Sequence, residues 1–283
     1  MTKVLLFGAT GHLGKEIARE TVKQGYDLTV VVRNKDKAME LSHITKQSVV
    51  SNVADPAALS NICLGFDVVI SALGKSVSLN DKSKATFRDI DLGVNSVILS
   101  EAEKAGVKKF VYVSALHAER YLHLEYFKVH HEFSEKLMQS GIDYSIIKPP
   151  AIFSAFLDVI LMAKKGQLVN IGKGERVTNP IFEGDLAEIC VNSIKEHNTV
   201  IEAGGAYTYS RAQLNGIIQD KVKPGTKLRS VPLAFVKAGL PLIRLWNKNT
   251  YDKFAFFMEV MQHDTIAPMM GKKKFEDYVE ERK

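Results

Sequence analysis

The chain has 283 residues, 46% of them apolar and 25% charged, which is typical of a globular protein with a sizeable core. The formal net charge is +6, but basic residues are mixed with acids along the chain, so we expect no nucleic-acid partner. Cys63 and Cys190 lack the spacing of a zinc motif or a disulfide framework, and no apolar run is long enough for a signal peptide or a membrane span. We therefore expect a cytoplasmic protein without an integral membrane segment.

The first 150 residues alternate short runs of β-branched side chains with helical patterns. This alternation is typical of a parallel sheet flanked by helices. Glycines such as Gly25, Gly106 and Gly141 mark helix ends, because a residue without Cβ adopts left-handed backbone at little cost. Strands are predicted at residues 3–8, 27–32, 47–52, 67–73, 108–115 and 143–149. The pattern predicts an α/β protein with a doubly wound parallel sheet, the Rossmann class.

The regular alternation ends after Pro149 and Pro150. Helices are then predicted at 151–165 and 184–197, strands within 166–175 and 199–205, and short helices rich in Phe, Leu and Met beyond residue 205. We expect residues 1–155 to form the core that contains the parallel sheet. Residues 156–283 are expected to form a small, mostly helical lobe that completes the sheet edge and supplies the substrate side, within one continuous structural unit.

A glycine-rich turn, GATGHLG, lies between the first strand and the first helix and contains Gly8, Gly11 and Gly14. Gly8 permits a tight turn, Gly11 lets the backbone approach a pyrophosphate, and Gly14 allows close packing of helix and strand. The helix N-terminus offers free N–H groups to phosphates. The spacing GxxGxxG differs from the general GxGxxG pattern, so a purely structural turn is the alternative, but strand, turn and helix follow in the required order.

The end of the second strand indicates which dinucleotide is bound. An acidic residue usually stands there and accepts hydrogen bonds from the ribose 2′-hydroxyl of NAD. Here the position holds Arg33, whose guanidinium can bind a 2′-phosphate, and Lys37 adds a second positive charge. The sequence therefore favours NADP(H) over NAD(H), unless Arg33 is an ordinary surface arginine. We expect residues 1–155 to be the NAD(P)-binding core.

Several segments together resemble the NmrA-like, NAD(P)-binding group of atypical short-chain dehydrogenase/reductases: GATGHLG, VVVRNKDKA, DVVISALG, AGVKKFVYVSA and SGIDYSIIKPP. The region around Tyr126 is similar to that of NADPH-dependent quinone reductases in this group, which also have a histidine at the position of His130. The resemblance implies that Pro149 lies near the nicotinamide. It also implies a set of residues that border the cofactor: Gly8, Thr10, Gly11, His12, Leu13, Arg33, Asn52, Val53, Ala72, Leu73, Gly74 and Ser114.

The candidate catalytic residues are Ser114, Tyr126 and His130. Short-chain dehydrogenases usually have a lysine four residues after the tyrosine, and its ammonium lowers the pKa of the phenol by about three units. A neutral imidazole cannot do this, so we expect Tyr126 to keep a pKa of ~10 and to be a poor base. Lys128 is no substitute, because on a helix it points about 160° away from Tyr126. The alternative is that Tyr126 and His130 are half-buried helix residues without chemistry, and that Ser114 only caps a turn.

Without a base, reduction is favoured over alcohol oxidation. The leading hypothesis is an NADP(H)-dependent reductase of a quinone-like or activated carbonyl small molecule, acting as a monomer or homodimer. The alternative is a non-catalytic NADP(H)-binding redox sensor, regulator or assembly factor, and the missing lysine disfavours a nucleotide-sugar epimerase. No metal site is expected, because His130 and His131 are adjacent and face different directions on a helix. Asp91 and Asn95 stand where related enzymes hold a structural asparagine, although helix capping explains Asp91 equally well.

Overall fold

The computed structural model describes the backbone of residues 1–283 and the side chains of all but residues 237–242 and 246. The strands are β1 (Lys3–Phe7), β2 (Asp27–Val32), β3 (Ser48–Val50), β4 (Val68–Ser71), β5 (Lys109–Val113), β6 (Asp143–Lys148), β7 (Val169–Ile171), β8 (Val177–Thr178), β9 (Thr199–Glu202), β10 (Tyr209–Ser210) and β11 (Arg229–Val231). The helices are α1 (His12–Lys23), α2 (Lys35–Leu41), α3 (Asn95–Lys104), α4 (Glu125–Met138), α5 (Leu157–Lys164), α6 (Glu183–Asn192), α7 (Arg211–Val222), α8 (Leu233–Trp246), α9 (Lys248–Val260) and α10 (Phe275–Glu280).

The chain forms two compact units. The first contains residues 1–75, 85–148 and 183–201, and the second contains residues 76–84, 149–182 and 202–283. Both units are therefore built from separate stretches of the sequence. The roles that the sequence assigns to residues 1–155 and 156–283 remain predictions.

Seven strands form the main sheet, in the order β3-β2-β1-β4-β5-β6-β9. Strands β1 to β6 are parallel to one another. The predicted doubly wound parallel sheet is thus confirmed, and each of its six predicted strands is present, β2 with the predicted bounds and the other five with shorter ones.

The central strands are apolar along their whole length because both faces of the sheet are covered. Residues Val4 to Phe7 of β1 are fully buried, α1 packs against α6, and α3 packs against α4. The core of this unit joins side chains of the sheet to side chains of α3 and α4, among them Phe7, Phe110, Tyr112, Ile98, Leu99 and Phe133.

The order of the strands places the ends of β1, β2 and β4 side by side. From β1 the chain moves outward to β2 and β3, then returns to β4 on the other side of β1. Ligands of doubly wound proteins bind beyond the carboxyl ends of the strands at this point of reversal. The fold therefore defines one sheet edge at which a cofactor site is expected.

The second unit has its own apolar core, built around Phe153, Ile160, Leu214, Phe275 and Tyr278. Two short strand pairs accompany it: β7 with β11, parallel, and β8 with β10, antiparallel. Helix α7 begins at a capping box, in which the Ser210 and Gln213 side chains satisfy backbone N–H groups reciprocally.

Candidate cofactor and catalytic site

The glycine turn brings β1, β4 and α1 closer together than other residues would allow. Gly8 has a φ of +82°, and a Cβ at this position would lie 2.6 Å from the Ala72 carbonyl oxygen. A Cβ at Gly14 would lie 2.0 Å from the Gly8 carbonyl oxygen. Gly11 is different, because its nearest neighbour would be an ordinary 3.4 Å away. Protein packing therefore requires glycine at positions 8 and 14, whereas a Cβ at the exposed Gly11 would make only an ordinary contact.

Helix α1 begins directly after this turn and presents uncapped amide groups. Its N-cap residue, Gly11, makes no side-chain cap hydrogen bond, and no acidic residue lies in the first turn. His12 is exposed, Leu13 is buried and Thr10 is half-buried. The free N–H groups and the positive end of the helix dipole suit a phosphate group.

Arg33 is the first residue after β2 and is exposed. The next residue, Asn34, caps α2 by accepting a hydrogen bond from the Lys37 backbone N–H at 3.0 Å. The Lys37 ammonium forms an ion pair with Glu40 one turn further along the helix. Arg33 is therefore available to an anion at the sheet edge, while a carboxylate of the protein already partly neutralises Lys37.

The other predicted cofactor residues lie in the loops that follow β3, β4 and β6. Asn52 is exposed and its side-chain oxygen accepts a hydrogen bond from the Ala54 backbone N–H at 3.3 Å. Val53, Ala72 and Leu73 are half-buried, Gly74 is exposed, and Pro149 is a buried residue of the second unit. Within the first unit, the fold thus brings the ends of β1, β2, β3 and β4 to one edge of the sheet.

Ser114 follows β5 but is turned toward the interior. It is 4% exposed, and its hydroxyl lies 3.2 Å from the Ser134 hydroxyl on α4. Ser134 in turn donates to the backbone carbonyl of His130 at 2.8 Å. The Ser114 hydroxyl therefore belongs to the packing between β5 and α4.

His130 has a protein neighbour at each ring nitrogen. Nδ1 lies 2.7 Å from the Tyr112 hydroxyl, a hydrogen bond whose donor depends on the imidazole tautomer. Nε2 lies 3.5 Å from Oδ1 of Asp91. His130, Tyr112 and Asp91 are all buried, with exposures of 5%, 0% and 1%. We call these three side chains the buried triad.

Burial keeps the triad uncharged near neutral pH. It lowers the pKa of His130 to about 4. Burial also raises the pKa of Asp91 to about 8, although hydrogen bonding to the Lys75 backbone N–H and the charge of Lys75 act in the opposite direction. Both shifts have the same cause, because a medium of low polarity penalises a charge. At pH 7 the imidazole is neutral and most of the Asp91 carboxyl is protonated.

Tyr126 packs edge-on against the His130 ring, with 4.7 Å between ring centroids, and against Phe87 at 5.3 Å. The sequence predicts an ordinary phenol pKa near 10 for this residue. The structure corrects this value, because burial and then the nearby Asp91 carboxylate raise the pKa of Tyr126 above the ordinary value. Tyr126 is therefore an even poorer base than the absence of a lysine indicates.

Asp91 is the residue whose role sequence reasoning missed. It lies inside the π-helical turn Arg88–Val94, so the capping role offered for it is wrong. Its Oδ2 accepts the Lys75 backbone N–H at 3.0 Å, and its Oδ1 would lie 2.9 Å from a Cβ at Gly74. One turn later, Asn95 donates to the Leu73 carbonyl at 3.2 Å. The two side chains together hold the loop after β4 in place.

The described side chains do not form a metal site. None of their clusters brings together three or more His, Cys, Asp or Glu residues that could hold a metal ion. In the buried triad, the nitrogens of His130 instead face Tyr112 and Asp91.

Comparison with known proteins identifies the family. Residues 8–197 match the NAD(P)H-binding family, and the chain belongs to it. This result confirms the resemblance to the atypical short-chain dehydrogenase/reductases.

Two kinds of curated relatives are similar to the chain. A photosystem II assembly factor Ycf39 of Trieres chinensis is 21% identical over 259 residues, covering 89% of this chain and 80% of the relative. The chloroplastic divinyl chlorophyllide a 8-vinyl-reductase of Arabidopsis thaliana is 30% identical over 217 residues, covering 70% of this chain but only 51% of the relative. An assembly factor and a reductase therefore share this sequence pattern.

Solved structures show the same fold over nearly the whole chain. The NADPH-dependent quinone oxidoreductase of Escherichia coli, in complex with NADPH, has a TM-score of 0.74 at 20% identity, with 99% of each chain covered. The triphenylmethane reductase of Citrobacter, in complex with NADP(H), has a TM-score of 0.77 at 15% identity, covering 98% of this chain and 99% of the other. At these identities the likeness concerns the fold alone.

Proposed function

We propose that the chain binds NADP(H), in preference to NAD(H), and reduces a quinone-like or activated carbonyl small molecule by hydride transfer. The observation that carries the proposal is the exposed Arg33, which stands at the end of β2 where NAD-binding proteins have an acid. It lies at the same sheet edge as the uncapped N-terminus of α1. When bound, NADPH would supply the hydride, which is the difficult part of the chemistry.

The residues of the sheet edge fit such a cofactor. In this proposal the first amides of α1 bind the pyrophosphate and the Arg33 guanidinium binds the 2′-phosphate. Asn52, Val53 and the loop from Ala72 to Gly74 border the rest of the dinucleotide, as the family resemblance implies. Pro149 is proposed to lie near the nicotinamide on the same ground.

The state of Tyr126 supports reduction over oxidation. Alcohol oxidation requires a base, and a phenol whose pKa is raised by burial and by Asp91 cannot serve as one near pH 7. Reduction of a quinone requires only a hydride and a proton, and water can protonate the hydroquinone anion. The proposed substrates are therefore acceptors that demand little acid–base help from the protein.

One assay measures NADPH consumption by its absorbance when the protein is incubated with NADPH and a panel of quinones and enones. A second assay measures NADPH formation when the protein is incubated with NADP⁺ and alcohols. We expect NADPH consumption with quinones and no reaction with alcohols. Replacement of the candidate acid, Tyr126→Phe, should slow quinone reduction by less than about tenfold, whereas a true general acid would contribute a factor of about 100 or more. The control is Tyr144→Phe on β6. Alcohol oxidation at a rate comparable to quinone reduction would contradict the proposal.

A second candidate is a non-catalytic NADP(H)-binding redox sensor, regulator or assembly factor. The inward orientation of Ser114 and the engagement of His130 by Tyr112 and Asp91 favour it, because these candidate catalytic groups are occupied by protein partners. The assembly factors among the relatives favour it as well. NADPH that binds tightly but is not consumed with any acceptor of the panel would select this candidate.

A further inference from the structure

The positive charge of the chain is concentrated in one stretch of the second unit. Residues 221–251 contain seven basic residues and no acidic one: Lys221, Lys223, Lys227, Arg229, Lys237, Arg244 and Lys248. The whole chain has 38 basic and 32 acidic residues, so the part outside this stretch has 31 basic and 32 acidic residues. The even mixing of charges expected from sequence fails here, and this stretch accounts for the whole net charge of +6.

Helix α8 lies in the middle of this stretch and is largely apolar. Ten of its 14 residues are apolar. Among the side chains that the structure describes, Phe235 is 75% exposed and Leu245 is 81% exposed. Most of the apolar surface of these two large side chains is therefore left in contact with water, and apolar surface grouped on one element is a feature of interaction sites.

Basic side chains stand at both ends of α8. Lys227 and Arg229 precede the helix, and neither forms an ion pair with any residue that the structure describes. At the other end, the exposed Arg244 lies over the Tyr251 ring, with 5.5 Å between guanidinium and ring centroid. The positive charges therefore flank an apolar centre.

The length of α8 sets how it could meet a bilayer. With 14 residues it is about 21 Å long, shorter than the hydrocarbon core of roughly 30 Å. Within the part of the chain that is described, no helix is long and apolar enough to span a membrane. An apolar helix of this length with basic ends is suited to lie in the plane of the lipid headgroups.

We propose that α8 docks on the surface of an anionic lipid bilayer, with Phe235 and Leu245 entering the acyl boundary and the flanking basic side chains contacting lipid phosphates. Charge complementarity selects this occupant over a second copy of the chain. A symmetric dimer through α8 would bring two copies of Lys227, Arg229 and Arg244 together, which like-charge repulsion opposes. Lys221 and Lys248 add less to this charge, because they pair with Glu280 and Asp252. The proposal does not depend on the oxidoreductase activity.

The chain carries its own reporter for this contact. Trp246 is the single tryptophan of the sequence and is the last residue of α8. We expect its emission to shift to shorter wavelength, and to be quenched by brominated acyl chains, when the protein meets phosphatidylcholine vesicles that contain phosphatidylglycerol. Pure phosphatidylcholine vesicles should give a weaker response, and added salt should weaken binding to the anionic vesicles.

Two double variants separate the apolar contribution to vesicle binding from the electrostatic contribution. The double variant Phe235→Ser/Leu245→Ser should lower affinity for anionic vesicles at least about tenfold, as measured by co-sedimentation. Lys227→Gln/Arg229→Gln should lower it by a similar factor and reduce its salt dependence. The matched control is Met39→Ser/Leu64→Ser, which removes side chains 72% and 58% exposed in the first unit and should leave vesicle binding unchanged.

Three results would overturn the proposal. One is the absence of any tryptophan shift or co-sedimentation with anionic vesicles, in protein shown to be folded by circular dichroism. Another is unchanged vesicle binding by the Phe235→Ser/Leu245→Ser variant. The third is light scattering that finds a dimer in the wild type and a monomer in that variant, because a second copy would then cover α8. NADPH titration of the same samples reports separately on the proposed function.

Discussion

The glycine-turn edge and the buried triad lie in the same unit but differ in what their polar groups are doing. At the edge, the first amides of α1 have no side-chain cap, and Arg33 is exposed. In the triad, Tyr112 and Asp91 lie at the two nitrogens of His130. Polar groups without protein partners remain available to a ligand, whereas buried polar side chains that hold elements together are paired with one another. The comparison supports a cofactor site at the edge and argues against a catalytic role for His130, whose ring nitrogens already have protein neighbours.

The largest expected effect comes from the glycine turn itself. Gly14→Ala should lower the melting temperature and raise the Kd for NADPH at least about 100-fold, because the added methyl group collides with the Gly8 carbonyl and displaces α1. Gly11→Ala is the matched control, since its Cβ meets the protein at an ordinary distance. It should keep the melting temperature of the wild type and weaken only NADPH binding. Equal thermal stability of Gly14→Ala and wild type would contradict the packing argument.

Arg33 provides the next largest effect. Arg33→Gln should raise the Kd for NADPH by about tenfold to 100-fold, because it removes a charge-assisted hydrogen bond to the 2′-phosphate. The Kd for NADH, which lacks this phosphate, should change by less than about threefold. Arg19→Gln, on the exposed side of α1 with a Glu16 partner, is the control and should change neither. Calorimetric titration measures all four values. Parallel weakening of NADPH and NADH by Arg33→Gln would show that the arginine does not read the 2′-phosphate.

Asp91 should make stability depend on pH in a defined window. The pKa of Asp91 is about 8 in the folded protein and about 3.9 in an unfolded chain. Folding therefore favours the protonated carboxyl, which stabilises the protein at low pH. This stabilisation is lost as the pH rises through the folded pKa. His130, whose folded pKa is about 4, acts in the opposite direction between about pH 4 and 6.5. Between pH 6.5 and 8 the Asp91 contribution is the larger of the two, because the unfolded His130 loses its remaining protons early in this interval.

The measurement is urea unfolding at pH 6.5 and pH 8. Relative to Asp91→Asn, the wild type should lose about 1.5 kcal/mol of unfolding free energy over this interval. Asp89→Asn is the control from the same turn, because hydrogen bonds from Thr86 lower the pKa of Asp89 and keep its titration outside the window. Parallel pH profiles of wild type and Asp91→Asn would show that Asp91 is ionised throughout.

The smallest effect is expected from restoring the lysine. His130→Lys places an ammonium beside Asp91, which would pair with it and leave little field to act on the Tyr126 phenol. NADP⁺-dependent alcohol oxidation should therefore stay low in His130→Lys and rise in His130→Lys/Asp91→Asn, followed as NADPH formation. His131→Lys serves as the control. Equal activation by the single and double variants would mean that Asp91 does not hold the lysine charge.

The sequence predicts the strands and the glycine turn of this sheet edge well and the triad poorly, for a physical reason. Strands and the glycine turn are local features, set by β-branched runs and by residues without Cβ, so the roles of Gly8 and Gly14 follow from their spacing alone. The triad joins Asp91, Tyr112 and His130, which lie on three elements and meet only when β5, α4 and the π-helical turn pack together. The only local signal was a pair of polar residues, Asp91 and Asn95, four apart in an otherwise apolar stretch.

Calorimetric titration of the folded wild-type protein with NADPH and with NADH shows whether the sheet edge binds a phosphorylated dinucleotide. We expect one binding site per chain, with NADPH bound more tightly than NADH because Arg33 contacts the 2′-phosphate. No heat with either nucleotide, or tighter binding of NADH, would contradict this expectation.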